Sequence, residues 1–199
     1  MISRATAAMD AFHRSLPDAP FHDFKQIQGN LPAEEKRLNA NILGFFLTGR
    51  GGPSKVTEPF GFAIGEKLKI VEMNVWERAG GGDVDSQLVV EVEITADMCN
   101  VFGAMNGACY AYLLDSLTIS SMVMLGRIKG FDGTGLSQSM NIYWHHAALL
   151  GETIRVTTRS VFAGNRERLA SCEIREKASG RLVSTGTHSF LHAGRATKL

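Results

Sequence analysis

The stretch Gly107-Ala-Cys-Tyr-Ala-Tyr-Leu-Leu-Asp-Ser-Leu-Thr-Ile-Ser-Ser-Met-Val-Met-Leu125 is apolar on nearly every side when it is drawn as a helix. Such a helix lies either in the centre of a folded core or inside a membrane. A membrane span needs about 20 apolar residues, whereas Asp115 stands near the middle here, at an insertion cost of roughly 2.5–3.5 kcal/mol. Four hydroxyl side chains weaken the membrane interpretation further: Ser116, Thr118, Ser120 and Ser121. The stretch therefore predicts a buried core helix and no membrane span.

Residues on both sides of this helix follow strand patterns. Residues 88–94 read Leu-Val-Val-Glu-Val-Glu-Ile, in which apolar and acidic side chains alternate as in a half-buried strand. Another strand is predicted at about 68–76, with a glycine-rich turn at 80–83 between the two. Four further strands are predicted after the helix, at about 134–145, 151–163, 167–177 and 181–192. One helix among antiparallel strands indicates an α+β protein in which a curved sheet wraps around the helix.

The first 60 residues are expected to form an N-terminal helical extension, followed by the main domain over residues 61–199. A short helix is predicted over about residues 3–16, where Pro17 ends it. A second helix is predicted over residues 33–47, because apolar side chains recur there at helical spacing. This second helix could form a wall of a substrate space or pack against the outside of the sheet.

Composition and charge limit the possible functions. The chain has 199 residues, 44% hydrophobic and 21% charged, which is typical of one globular domain with an extension. A formal net charge of +1 gives no general reason to bind nucleic acid or an anionic membrane. Its three cysteines follow no zinc spacing, which favours reduced thiols and a cytoplasmic location. Peroxisomal or mitochondrial import are the alternatives, the first because the terminal Lys198-Leu199 resembles a peroxisomal address.

Asp115 is the residue that core packing does not explain. A carboxylate on a core helix loses hydration and must be compensated, yet the helix offers no cation three or four residues away. One interpretation is a core aspartate bonded to hydroxyl groups. The other is an active-site carboxylate, because such groups concentrate at active sites.

The residues just before the helix favour the second interpretation. Asn106 is a good helix cap, and the N–H of Gly107 would be one of the unpaired donors at the helix N-terminus. Such a donor suits a carbonyl oxygen that gains negative charge, and glycine lets a substrate approach closely. Gly107 and Asp115 are eight residues apart, or roughly 12 Å along a helix. One reacting carbonyl could contact both only if a second copy of the helix ran antiparallel beside the first, so two catalytic groups here would require a dimer.

These residues resemble the hot-dog-fold thioesterases of the acyl-CoA thioesterase 13 type. That family carries N-x-F-G-x-x-H-G-G, then a carboxylate eight residues after the first glycine of the pair, and later a strand reading G-x-S-x-x-M-N-I. The chain matches this pattern in order at Asn100, Phe102, Gly103, Gly107, Asp115, Gly135, Ser137, Met140, Asn141 and Ile142. The family histidine is Asn106 in this chain. The resemblance covers about residues 66–192.

The resemblance implies a hot-dog fold, assembly as a dimer or a dimer of dimers, and hydrolysis of an acyl-CoA to free acid and CoA. It implies that the thioester carbonyl binds the Gly107 N–H with Asn100 nearby. Asp115 of the partner subunit would act as general base or nucleophile, two roles that the sequence does not separate. Ser137 would hold the water or the carboxylate, unless it is an ordinary strand serine. Asn106 could cap the helix and donate a hydrogen bond, but it cannot take a proton. No cofactor is implied beyond the CoA part of the substrate.

The phosphates of CoA would need cations, and arginine suits them by its forked geometry. Candidate ligands are Asn165, Arg166, Arg168, Arg195 and Lys198. A solvated turn would explain the first three equally well. Met140 is expected to contact the substrate. The pair His145-His146 lacks the acidic or cysteine neighbours of a zinc site, so no metal site is predicted and both are interpreted as surface or interface residues, while His188 is interpreted as a structural residue.

Two other functions remain open at this point. Asn106 in place of the family histidine is compatible with a non-catalytic hot-dog protein that binds acyl-CoA or a protein partner. A hot-dog dehydratase or hydratase would use a histidine near the helix start, but no histidine lies between His22 and His145.

Overall fold

The structure, a computed structural model, describes residues 4–19, 23–78 and 84–192. Its helices are α1 (Arg4–Ser15), α2 (Ala33–Thr48), the short α3 (Phe62–Gly65) and α4 (Gly107–Lys129), with single 3-10 turns at Phe24–Gln26 and Ala96–Met98. Its strands are β1 (Lys69–Glu77), β2 (Val84–Glu93), β3 (Leu136–Trp144), β4 (Thr153–Ala163), β5 (Glu167–Glu176) and β6 (Leu182–Leu191). The predicted helices and strands are present, and the predicted turn at 80–83 lies outside the described residues.

The six strands form one antiparallel sheet in the order β1-β2-β4-β5-β6-β3. The sheet curves around α4, which contacts all of its strands except β1 to an appreciable extent. Leu113, Leu117 and Met124 of α4 are fully buried against Val90 and Val156 of the sheet. The predicted α+β architecture of a long helix wrapped by a curved sheet is therefore confirmed.

Helix α4 is long and apolar enough to cross a membrane by length and composition, but most of its apolar window is buried inside the fold. Its N-terminus is capped by Asn106, and it ends at Gly130, whose φ of 79° is readily adopted only by glycine. The prediction of a core helix is thus confirmed. One stripe of the helix is only half-buried and consists of these residues: Ala111, Asp115, Ser116, Ile119 and Ser120.

The N-terminal extension shares the core of the sheet domain. Ile27, Leu31, Leu43 and Leu47 belong to the same buried cluster as Leu113 of α4. Helix α2 lies against α4, rather than against the outside of the sheet. The extension therefore buries part of α4 that the sheet leaves open.

A partly buried ion cluster joins α1 and α2 to the C-terminal part of α4. The Arg127 side chain is only 5% exposed, donates to the Glu35 carboxylate at 2.9 and 3.1 Å, and donates to Asp10 at 3.0 Å. The ring of His13, also buried, lies 3.3 Å from the same guanidinium. Burial lowers the pKa of His13, and the neighbouring Arg127 charge acts in the same direction.

The two edges of the sheet differ in how they are covered. At β1, Gln28 exchanges backbone hydrogen bonds with Val71 and Met73 at 2.9 and 3.0 Å. Asn30 extends this cover, since its side chain donates to the Val75 carbonyl at 2.7 Å and accepts from the Val75 N–H at 2.9 Å. At β3, by contrast, no described segment pairs with the outer edge, so its backbone groups are available to another strand.

Asn30→Ala is expected to lower the free energy of unfolding by about 1–2 kcal/mol, because two exposed side-chain hydrogen bonds to β1 are lost. Urea denaturation followed by circular dichroism measures the change. Asn165→Ala, in the exposed turn after β4, is the matched control. Equal stability of both variants would mean that Asn30 does not hold the edge.

Candidate active site

The first half of the candidate site lies at the middle of α4. The Ser137 hydroxyl of β3 donates to Asp115 Oδ1 at 2.8 Å. A register shift between Ser137 and Ser139 interrupts the pairing of β3 with β6 at this point, and such irregularities re-aim side chains. The structure thus brings together the carboxylate and the serine that the sequence singled out.

The Asp115 side chain is more exposed than the sequence predicted. It was expected to be buried, but 42% of it is accessible in the single chain. The reason is that Asp115 lies on the stripe of α4 whose side chains are only half-buried. In this chain alone, the carboxylate therefore faces outward from the fold.

His188 of β6 lies beside this half of the site, although the sequence analysis interpreted it as a structural residue. The side chain is fully buried, with Nδ1 2.7 Å from Thr118 Oγ1 and Nε2 3.6 Å from Asp115 Oδ1. Burial lowers the pKa of His188, while the Asp115 charge acts in the opposite direction. A neutral imidazole therefore stands behind the carboxylate. Strand alternation in the sequence could have predicted that His188 points inward, since His188 and the buried Phe190 share the inner face of β6.

The second half of the site lies at the N-terminus of α4. Asn106 Oδ1 accepts from the Ala108 N–H at 3.0 Å, and the Asn106 N–H donates to the Met98 carbonyl. The N–H groups of Asn106 and Ala108, on either side of Gly107, are thus both hydrogen-bonded. The N–H of Gly107 itself donates to no other residue in the described part of the chain. A methyl group added to Gly107 would meet only Trp144, at 3.8 Å. The amide predicted to bind a carbonyl oxygen is therefore free and approachable.

An open groove of about 420 Å³ surrounds this amide, and its lining includes Asn100, Gly107, Tyr110, Trp144, His145 and His146. Asn100 Oδ1 accepts from the Phe102 and Ala104 N–H groups at 2.9 and 3.3 Å, which shapes the loop before the helix. Its carbonyl oxygen is thus used internally, and its amide NH₂ group remains for a ligand.

The two halves do not meet within one chain. Neither Asp115 nor Ser137 lines the groove at Gly107. Both halves are fixed to the same unbroken helix, with eight residues and roughly 12 Å between them.

The residues predicted to bind CoA differ in their exposure to solvent. Asn165 and Arg166 are exposed in the turn between β4 and β5, and Met140 is partly exposed on β3. Arg168 is different, because it is only 3% exposed, donates to the Thr134 carbonyl and lies over the Phe131 ring. The alternative interpretation of Arg168 as a residue of a solvated turn is therefore wrong, while its role as a ligand for the CoA phosphates stays a prediction. Strand alternation turns it inward, towards the loop that follows α4. Arg195 and Lys198 lie outside the described residues.

Two of the three cysteines, Cys109 and Cys172, are buried. Burial raises the pKa of the Cys109 thiol, near the start of α4, and that of Cys172 to about 12. Thiolate nucleophiles are disfavoured under those conditions. Within residues 4–19, 23–78 and 84–192, no three His, Cys, Asp or Glu side chains cluster as metal ligands would.

The chain was compared with known proteins by sequence and by structure. No protein-family model matches the sequence. Human acyl-coenzyme A thioesterase 13 is 30% identical over 103 residues, which span 52% of this chain and 71% of that protein, and the mouse protein gives the same values. Zebrafish thioesterase superfamily member 2 superposes with a TM-score of 0.56 at 22% identity, covering 76% of this chain and 95% of that one. Thioesterase superfamily member 2 from Mus musculus gives 0.52 at 25% identity, covering 66% and 87%.

The wrapped helix and these superpositions define a hot-dog fold. The chain belongs to the hot-dog thioesterase superfamily, among the members similar to acyl-coenzyme A thioesterase 13.

The two buried histidines lead to a prediction about pH. His13 and His188 both have a pKa below the ordinary value of 6.5, so below that pH the unfolded chain binds more protons than the folded chain. The free energy of unfolding should therefore fall between about pH 6.5 and 5.5, by up to about 1.4 kcal/mol per pH unit for each histidine. Urea denaturation across this range, with His13→Gln, His188→Gln and the double variant, measures each share. A double variant with the slope of the unaltered protein would contradict this account.

Proposed function

We propose that the protein is an acyl-CoA thioesterase that works as a dimer, hydrolysing a fatty or aryl acyl-CoA to free acid and CoA. The observation that carries the proposal is the division of the site. Asp115, which is bonded to Ser137 of β3, and the free Gly107 amide lie roughly 12 Å apart along one rigid helix. Neither half can carry out hydrolysis alone, because one supplies a base and the other an oxyanion donor.

The uncovered edge of β3 supports an association that would join the two halves. Two copies of β3 paired antiparallel about its centre, near Met140, would place Leu136 and Ser137 of one strand beside Tyr143 and Trp144 of the other. Trp144 lines the Gly107 groove, and Ser137 holds Asp115. Such pairing would bring the carboxylate of each subunit towards the amide of its partner.

The surface of β3 fits this role. Leu136, Met140, Tyr143 and Trp144 are all exposed in the single chain. Exposed apolar side chains beside an unpaired strand edge are typical of a subunit interface. Because the N-terminal extension covers β1, β3 is the edge on which we place the dimer; assembly into a dimer of dimers would need another surface.

In the proposed reaction, the thioester carbonyl accepts a hydrogen bond from the Gly107 N–H, and the Asn100 amide helps to orient it. Asp115 of the partner subunit takes a proton from a water molecule that attacks the carbonyl carbon, or attacks that carbon itself. Ser137 orients the carboxylate. The C–S bond then breaks and CoA leaves. If Asp115 attacks directly, a water molecule then hydrolyses the resulting acyl–aspartyl anhydride, which releases the free acid and restores the carboxylate. Substrate, water and this carboxylate supply all reacting atoms, so the proposal includes no cofactor.

Asn106 fits this scheme as a helix cap. Its side-chain oxygen is bonded to the Ala108 N–H, so it can hold the start of α4 in place without exchanging protons. Arg166 and Asn165 remain the proposed ligands for the phosphates of CoA, because both are exposed.

The proposed role of the Gly107 amide is tested by Gly107→Pro and Gly107→Ala. Proline removes the N–H but suits the first position of a helix, and Asn106 already has the extended backbone (φ −67°, ψ 143°) that a residue before proline adopts. Alanine keeps the N–H. We expect kcat for acyl-CoA hydrolysis to fall about 10²–10³-fold in the proline variant and much less in the alanine variant, as measured by release of free thiol. Equal losses would exclude the amide as the oxyanion donor.

The proposed cross-subunit site is tested by mixing Asp115→Asn with Gly107→Pro. Each variant alone should be nearly inactive, while random mixing gives half of the dimers one intact site, and thus about a quarter of the wild-type activity. Refolding the two variants together and assaying thiol release measures the recovery. No recovery in a mixture that contains mixed dimers would place both groups in one subunit.

The alternative of a non-catalytic binding protein is favoured by one observation, the asparagine at position 106. Calorimetric titration with CoA and acyl-CoA separates it from the enzyme. Binding without thiol release from any acyl-CoA of graded length, in wild type and Asp115→Asn alike, would favour the binding protein.

A further inference from the structure

His145 and His146 line the same groove as the Gly107 amide. They follow β3 directly, and both are exposed in the single chain. The sequence alone indicated surface or interface histidines there. The structure places both imidazoles in the groove with Trp144 and Gly107, where a bound thioester could contact them.

The hydrogen bond of His146 defines which of its nitrogens can exchange a proton. Its Nδ1 lies 2.7 Å from the Leu182 carbonyl oxygen, which can only accept. Nδ1 therefore carries a hydrogen, and Nε2 is the nitrogen that gains or loses a proton. His145 is held differently, with Nε2 2.8 Å from the Thr185 hydroxyl, which can donate or accept. Only His146 has its tautomer fixed by a backbone group.

Thioester hydrolysis leaves one proton transfer unassigned in the proposed scheme. When the tetrahedral intermediate collapses, the electron pair of the C–S bond moves to sulfur. An alkyl sulfur such as that of CoA leaves more readily if it gains a proton at the same time, because it then departs as a neutral thiol. Asp115 of the partner subunit acts on the water and not on the sulfur. The groove at Gly107 holds the carbonyl, so the sulfur must lie within or beside that groove.

Few groups along the groove can supply this proton. Asn100 has no proton that it can give up near neutral pH, and burial raises the pKa of Tyr110. Among the described residues that line the groove, His145 and His146 are the two that carry an imidazole, the side chain that most often serves as a general acid or base in proteins.

We infer that His146 is a catalytic residue that donates the proton on Nε2 to the departing sulfur of CoA. The inference rests on the proposed thioesterase function. The C–S bond breaks as the Nε2–H bond breaks and an S–H bond forms, so that CoA leaves as the neutral thiol. The neutral imidazole, still donating from Nδ1 to Leu182, regains a proton from solvent because the side chain is exposed. No oxidant, metal or further co-reactant takes part.

Two matched variants test this role. In His146→Asn, the side-chain amide can still donate to the Leu182 carbonyl in place of Nδ1, but Nε2 is gone. In His145→Gln, the amide can replace Nε2 in the bond to Thr185. Each variant is assayed with two thioesters of the same acyl group, one with CoA and one with an acidic aryl thiol that leaves without protonation. Thermal unfolding verifies that both variants are folded.

We expect His146→Asn to lower kcat/KM for the CoA thioester about 10²-fold and for the aryl thioester less than about 3-fold. His145→Gln should keep the ratio of the two values close to that of wild type. A merely structural or binding role of His146 would lower kcat/KM for both thioesters alike and would overturn the inference, as would a variant with wild-type values for both.

Failure of the inference is distinguishable from failure of the proposed function. If wild type releases thiol, Asp115→Asn does not, and His146→Asn resembles wild type, only the role of His146 is wrong. If wild type hydrolyses neither thioester, the thioesterase function itself is wrong, and the inference fails with it.

Discussion

An α-helix advances about 1.5 Å per residue, so Gly107 and Asp115 stay roughly 12 Å apart however the rest of the chain folds around them. Helix α4 is unbroken between the two residues and is packed in the core on most of its sides. Because of this fixed distance, the two parts of the candidate site remain separate within one chain. The open edge of β3 matters for the same reason. Pairing of two chains along that edge would bring the Asp115 half of one subunit towards the Gly107 half of its partner.

The two half-sites use different physical means. At Gly107, a free main-chain donor and the dipole of a 23-residue helix favour negative charge on an approaching oxygen. At Asp115, the carboxylate is held from one side by Ser137 and lies in front of the buried, neutral His188. His188 Nε2 lies 3.6 Å from Asp115 Oδ1, which is longer than a normal hydrogen bond, so the imidazole stands behind the carboxylate without pairing strongly with it. The carboxylate therefore keeps an open side that a water molecule or a substrate can approach.

The N-terminal extension makes the two edges of the sheet unequal. Gln28 and Asn30 satisfy backbone groups of β1, while α2 packs on α4 and the Arg127 cluster fixes α1 and α2 to the end of that helix. An unpaired edge is a site of association with other strands. By covering β1 and leaving β3 open, the extension favours one mode of association. In this way residues far from the candidate site in sequence influence how that site could be completed.

The sequence by itself determined the core helix, the strands around it and four residues of the candidate site: Asn100, Gly107, Asp115 and Ser137. These could be recognised because helix caps, apolar periodicity and strand alternation are local properties of the chain. The tertiary structure alone decided the burial of Arg168, the exposure of Asp115, the position of His188 behind the carboxylate and that of His146 beside Gly107. Each depends on which face of a strand or helix another segment covers, through contacts between residues about 30 to 80 positions apart. Local sequence patterns do not predict such contacts, because the course of the whole chain determines which side chain covers a given residue or bonds to it.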